Sequence, residues 1–305
     1  MSLNFSMRCS TVLPNKPTLT EKNLPDQTGK VFIVTGASGG LGKLLTKILY
    51  QHNGKVYLAA RSETKTKEAI EEITAAHPSS KGELLFLKLQ LDDLTTIKQT
   101  ATEFLAKEIR LDVLWNNAGV MIPPAGSRTK QGYELQYGVN NLGHFLLTYF
   151  LRPALETAAN IAPKNSVRVI WVSSSAADAA PNPAIDLTNM DYHRDEGAWM
   201  KYCRSKAASV VHSAEFVRRT KGTGFISLKL IASEPINGAY TELFAGLSGT
   251  ITEEDNGGWV SPFGKVEKVR KDLVDPNLGG KFWDWSLQEA RVLIVARGFE
   301  ILRAE

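Results

Sequence analysis

Cysteine is scarce in this chain: Cys9 and Cys203 are the only two among 305 residues. Two thiols cannot build a disulfide framework, and such scarcity fits a reducing compartment. Long apolar runs are missing too. No stretch approaches the ~18 uninterrupted apolar residues of a membrane-spanning helix, and the N-terminal residues lack the apolar region of a secretory signal. Charge of one sign is equally short. The 36 Lys and Arg against 32 Asp and Glu leave a formal +4 with no dense basic block, so nucleic-acid binding gains no support. Internal repeats and low-complexity linkers are absent. What remains is a chain with 43% hydrophobic residues, enough for a buried core. The expectation is a cytoplasmic globular protein.

What is present centres on Lys30 to Leu49, KVFIVTGASGGLGKLLTKIL. Val31 to Val34 read as a buried strand, being short, apolar and rich in β-branched residues. A turn of small residues follows, and Leu41, Leu44, Leu45, Ile48 and Leu49 then recur at helical spacing. Strand, glycine turn and helix make the first half of a dinucleotide-binding unit. Glycines let the backbone approach a pyrophosphate, and the helix N-terminus offers it unpaired N–H groups. The alternative is an ordinary tight turn, but the flanking strand and helix argue for the phosphate cradle.

Residues 1–28 are polar, carry Pro14, Pro17 and Pro25, and read as an irregular arm. From residue 29 to 305 the pattern predicts one domain. Its further strands are expected at Lys55 to Ala60, Glu83 to Leu89, Leu111 to Trp115, Val167 to Val172 and Phe225 to Leu230. Helices are expected at about Thr95 to Glu108, Tyr133 to Ala159 and Trp199 to Thr220. Ser62 caps another, which ends at Pro78. Such alternation predicts a parallel sheet covered on both faces. A last short strand near Gly258 to Phe263 and a final helix with Leu287 and Leu293 complete the chain. That helix reads as packing or oligomer-forming, with an amphipathic lipid contact as the weaker option.

Ligands of such sheets bind outside the carboxyl ends of the strands. Those ends carry the glycine turn, Arg61, Asn116 and Asn117, and Ser173 to Ser175. Tyr202 and Lys206 stand four apart on the next helix and so share a face. A free tyrosine, with a pKa near ~10, is a poor proton donor or acceptor at neutral pH. A neighbouring ammonium and an oxidised nicotinamide stabilise the phenolate and lower that value. Arg61 ends the second strand where an acid would accept from a ribose 2′-hydroxyl, and no acid comes before Glu63. An arginine there accommodates a 2′-phosphate, so NADP(H) is expected over NAD. Cys203, turned about 100° from Tyr202 on the helix, reads as packing. His144 reads as structural, having no second metal-type ligand at useful spacing.

With these residues in place the chain resembles the short-chain dehydrogenase/reductase family. TGASGGLG is similar to its nucleotide turn, Asn116 to Gly119 to its NNAG motif, and Tyr202 with Lys206 to its YxxxK pair. GVNNLGHFLLT, Gly138 to Thr148, resembles the retinol-dehydrogenase-like branch and related fungal reductases, and WVSSSA, Trp171 to Ala176, the segment with the family serine. The likeness runs from about Gly29 to Leu230. It implies a Rossmann-type doubly wound parallel sheet flanked by helices. It implies Ser174, Tyr202, Lys206 and Asn140 as catalytic residues, with Ser173 and Ser175 as poorer fits than Ser174. Asn140 would hold a proton-relay water near Lys206. Gly36, Ser38, Gly40, Leu41, Gly42, Arg61, Gln90, Asn117, Tyr202 and Lys206 would bind the cofactor. Gln90 stands where the family has an aspartate facing the adenine.

One departure is larger. After the sixth strand the family carries a Pro-Gly loop and a helical lid over the substrate. Here Leu230 is followed by only Ile231 to Asn237 before GAYTELFAGLS, which resembles the family's later helix along its whole length. An alternative alignment takes Pro235, Gly238 and Thr241 as a degraded nicotinamide loop. A shortened lid is the preferred reading. The expected function is an NADP(H)-dependent oxidoreductase interconverting a small-molecule ketone or aldehyde and an alcohol, in small-molecule or secondary metabolism. The alternative is a nucleotide-binding protein of the same build with little or no turnover. The partners expected are a small-molecule carbonyl or alcohol substrate and, through the final helix, a second copy of the chain as a homodimer.

Overall fold

The apolar runs build the sheet. In the computed structural model, which describes residues 16–231 and 235–295, Val31–Thr35 (β1) is buried along its whole length. So is Arg168–Ser173 (β5), as expected of strands covered on both faces. The others are Lys55–Ala60 (β2), Glu83–Lys88 (β3), Val113–Asn116 (β4), Ile226–Ile231 (β6), Trp259–Ser261 (β7) and Lys265–Glu267 (β8). Their order across the sheet is β3-β2-β1-β4-β5-β6-β7-β8. All pairs are parallel except β7 with β8. The single strand expected near Gly258 to Phe263 is thus a hairpin, with Val260 opposite Val266. The chain reverses at β1, so β1 and β4 open the crevice where such sheets take their ligands.

Alternation along the strands divides the core. Phe32, Val34, Trp115, Val172 and Leu228 face one side, with Leu45 and Leu49 of Gly40–Gln51 (α1) and Leu243 of Pro235–Leu247 (α6). Ile33, Leu114, Val169 and Trp171 face the other, with Phe104 of Ile97–Leu105 (α3), Leu147 of Gly143–Ile161 (α4), Val211 of Ala198–Arg219 (α5), and Phe282 of Pro276–Val295 (α7). Glu63–Ala76 (α2) follows β2 and is capped by Ser62, whose hydroxyl accepts from the Lys65 amide at 3.3 Å.

The long helix expected from Tyr133 is broken into parts. A short turn at Leu135–Tyr137 leads into a π-helical turn at Gly138–Leu142 before α4 begins. The 3.6-residue apolar pattern could not foretell that widening. Residues 16–28 of the arm form turns without helix or strand, and Leu24 is buried against the α1 side of the core. The strap between β6 and α6, expected at Ile231 to Asn237, is shorter still because α6 already starts at Pro235. Residues 232–234 lie outside the described residues.

α7 lies across α4 and α5. His212 of α5 is sandwiched between the rings of Phe145 and Phe282, at 4.4 and 4.2 Å. Aromatic pairs of this kind contribute about 0.5–1.5 kcal/mol each beyond the area they bury. The amide of Asn141 donates to His212 Nδ1 at 3.1 Å, so Nε2 carries the proton and donates to Ser286 Oγ at 3.0 Å. Burial pushes this imidazole down to about 3, and it stays neutral.

Candidate active site

The glycine turn between β1 and α1 is shaped by contact. Gly36 has φ +71°, and a Cβ there would sit 3.0 Å from the Cα of Ala118. At Gly42 a Cβ would press to 2.7 Å on the Asn117 amide nitrogen. Larger residues would therefore push the NNAG segment away from α1. The N-cap of α1 is Gly39, which supplies no side-chain acceptor, so the first-turn N–H groups beginning at Gly40 remain open to an anion. Gly36, Ser38 and Leu41 line one wall of a cleft of about 470 Å³, and Ala59, Ala60, Arg61, Leu89, Leu91 and Asp92 close its far end. Its other wall is Asn117, Ala118, Gly119 and Val120. The residues fit a dinucleotide: a glycine cradle, a bare helix N-terminus and an elongated cleft at the sheet's crossover.

Thr35 fastens that wall. Its hydroxyl accepts from the backbone amides of Asn117 and Ala118, at 2.8 and 2.9 Å. Asn117 donates its own amide to the Thr35 carbonyl at 2.7 Å. His144 is structural here. Its Nδ1 donates to the Asn140 carbonyl at 3.2 Å, which leaves Nε2 to accept from the Thr35 hydroxyl at 3.0 Å. Burial drives its pKa down to about 3.

At the end of this wall lies Lys206. A Cβ on Gly119 would stand 3.5 Å from Lys206 Nζ and 3.2 Å from Asn140 Oδ1. The lysine is buried and donates to the Val172 carbonyl at 3.0 Å. Burial lowers its pKa to about 8, against the opposing pull of Glu242. Tyr202 is half-buried, with its ring centroid 5.8 Å from Lys206 Nζ. Burial raises its pKa, and a hydrogen bond with Ser174 pulls it back. Ser174, Tyr202 and Lys206 are therefore brought together. Ser173 is not part of the group: its hydroxyl is buried and donates to the Lys206 carbonyl at 2.9 Å. Cys203 is fully buried, and its thiol is pushed up to about 11, which fits packing.

Asn140 sits in the π-helical turn with its amide engaged. Oδ1 accepts from the Val120 amide at 2.7 Å, and Nδ2 donates to the Val120 carbonyl and to Ser205 Oγ. Its carbonyl takes donors from both His144 and Ser209. Through these bonds Asn140 pins Val120 to α5, and its Oδ1, accepting one hydrogen bond, keeps a second acceptor site. Gln90 is half-buried, but the cleft wall at its level is Leu89, Leu91 and Asp92.

Two residues escaped the sequence reading. Asp92, four residues after β3, comes within 3.5 Å of Arg61, so the cleft end carries an acid beside its arginine. Glu242 of α6 is fully buried, and neither carboxylate oxygen has a hydrogen-bond partner. Burial raises it to about 8 while Lys206 draws it down. Its signal was present, since Ala239, Glu242, Leu243 and Gly246 share one helix stripe. An acid within a buried stripe calls for a reason, and here its charge acts on the lysine of the site.

A nucleotide cleft ending on a serine, a tyrosine and a lysine defines a dinucleotide-dependent oxidoreductase. The comparisons agree. A family model described as short chain dehydrogenase matches residues 30–185. The short-chain dehydrogenase/reductase pkfC of Emericella nidulans is 50% identical over 305 residues, covering 91% of this chain and 98% of that protein. The chain belongs to the short-chain dehydrogenase/reductase family and is an oxidoreductase. Among solved structures, an uncharacterized protein from Mycobacterium paratuberculosis matches with a TM-score of 0.73 and 26% identity, covering 90% of this chain and 97% of that one. A metagenomic short-chain oxidoreductase solved in complex with NADP matches with a TM-score of 0.58 and 25% identity, covering 74% and 95%. None of these relatives favours the non-catalytic alternative. Among the described residues no helix is long and apolar enough to cross a membrane.

Proposed function

We propose that this chain reduces a ketone or aldehyde to an alcohol, or runs the reverse, with NADP(H) as its cofactor. The observation that carries the reading is the Ser174–Tyr202–Lys206 group at the end of the nucleotide cleft. A bound nicotinamide would supply or accept the hydride at the substrate carbon. Tyr202 gives the proton to the carbonyl oxygen or takes it from the alcohol, and Ser174 hydrogen-bonds the same oxygen as charge develops on it. Lys206 keeps positive charge beside the phenol, favouring the phenolate during proton transfer. Asn140 acts one step away, as a positioning residue that holds Val120 and Ser205. Arg61 supports the phosphorylated cofactor, its guanidinium lying at the cleft end and 73% exposed, with donors to spare beyond Asp92.

The test is turnover of NADPH with an aldehyde by the wild-type chain and by Tyr202→Phe. The variant keeps the ring packing and loses the proton, so activity should fall by ~10²-fold or more while NADPH affinity holds. Wild-type turnover in the phenylalanine variant would remove Tyr202 from the role. Small-molecule or secondary metabolism is the setting supported by the fungal relative, and a cytoplasmic location agrees with the scarcity of cysteine.

A further inference from the structure

Seven large apolar side chains are exposed among the described residues, and three of them stand on two segments that Gln136 joins, residues 121–122 and the start of α5. Met121 is 60% exposed, Ile122 48% and Trp199 48%. Met121 and Ile122 continue the cleft wall past Val120, whereas Trp199 opens α5 one turn before Tyr202. Buried Gln136 ties the two segments together. Its Oε1 accepts from the Ile122 amide at 2.9 Å, and its Nε2 donates to the Ala198 carbonyl at 3.0 Å. Ile122 is held at φ +47°, a left-handed conformation that a β-branched residue rarely adopts. Sites that keep such a conformation tend to use what it displays, and this one displays an isoleucine to solvent.

We propose that Trp199, together with Met121 and Ile122, is an apolar platform that selects carbonyl substrates carrying an aromatic ring. The proposal rests on the oxidoreductase reading above and deepens it. The Trp199 ring lies 5.7 Å from the Tyr202 ring, tilted by 33°, so a flat group resting on the indole stands beside the tyrosine that meets Ser174. The polar end of the site and the apolar platform are then two ends of one substrate. Neighbouring cations on α5 are already committed, Lys201 to Asp195 at 2.6 Å and Arg204 to Glu196 at 2.6 Å. An anionic substrate group would find them paired, while a ring finds three bare apolar side chains.

Calorimetric titration of naphthaldehyde and of propanal into protein saturated with NADP+ reads the platform without turnover, because the oxidised cofactor has no hydride to give. Wild type should bind naphthaldehyde at least about tenfold more tightly than propanal. Trp199→Ala should lose about tenfold in naphthaldehyde affinity and leave propanal unchanged, whereas Trp199→Phe should keep most of the preference. Unchanged naphthaldehyde affinity in Trp199→Ala, or an equal loss for both aldehydes, overturns the proposal. So does a concentration-dependent dimer in sedimentation that Trp199→Ala disperses, for then a second copy is what covers these side chains. Turnover with NADPH separates the two readings. Selective binding without NADPH oxidation would sink the reaction and spare the platform; oxidation without selectivity would do the opposite.

Discussion

The Ser173 hydroxyl donates to the Lys206 carbonyl at 2.9 Å, and this bond locks the end of β5 to the helix bearing Tyr202. Ser174 lies just past the end of β5, where it caps a 3-10 turn, and from there its hydroxyl meets the tyrosine. Neighbouring serines thus divide the work. Ser174→Ala should lower kcat/KM by ~10²–10³ with little change in Tm. Ser173→Ala should instead lose about 1 kcal/mol of stability and retain most of the rate. Steady-state kinetics and thermal melts of the two variants check the division, and a reversed pattern would show the wrong serine has been assigned.

Arg61 and Asp92 face each other across the cleft end at 3.5 Å. An exposed pair of this kind is worth little to stability, but it meets any phosphate that enters. Arg61→Ala should weaken NADPH by about ten- to a hundred-fold and leave NADH unchanged. Asp92→Asn should strengthen NADPH, since it removes a carboxylate from beside the 2′-phosphate. Fluorescence titrations with both cofactors measure these shifts. If Asp92→Asn weakened NADPH, the carboxylate would be orienting Arg61, not competing for it.

Lys229 lies in β6, fully buried, with no hydrogen-bond partner for its Nζ among the described residues. Burial lowers its pKa from 10.5 to about 7. Between those values the unfolded chain holds more protons than the folded one, so this lysine makes stability rise with pH. Below about 7 its cost is fully present. Lys229→Met should therefore stabilise the protein by about 1–3 kcal/mol near neutral pH. The advantage should shrink as the pH climbs toward the ordinary lysine range. Denaturant melts of both proteins across that range test it, and a constant difference would count against the buried amine as the cause.

β6 ends at Ile231 and α6 starts at Pro235, which leaves little chain to cover a substrate. A lid excludes water and completes a pocket. Inserting the nicotinamide loop and lid of a related reductase after Leu230 should raise kcat/KM more than it raises NADPH affinity. Equal gains in both would mean that the insert acts on the cofactor.

The parts legible in the sequence were those with a local signature. The glycine turn, the asparagine pair and the Tyr202–Lys206 spacing are each set within a few residues, and the structure places them around one crevice. The π-helical turn at Gly138–Leu142 was hidden, since its apolar residues fit a regular helix equally well. Asp92 was hidden for another reason: its partner comes from a different strand, and the register of β2 with β3 decides that they meet. The same holds for Glu242 with Lys206, which lie on separate helices. The β7–β8 hairpin was read as one strand because each of its strands has only three residues and its turning residue, Gly264, lies just past the expected end.

The stack of Phe145, His212 and Phe282 has a mechanical meaning. From Ser286 of α7 the bonds run through the imidazole to Asn141, whose neighbour Asn140 grips Val120 at the cleft wall. The C-terminal helix is in this sense a buttress. It braces from outside the turn that shapes the cofactor cleft, and it also roofs the outer face of α4 and α5. Another copy of the chain approaching that face would meet α7 before it met either helix.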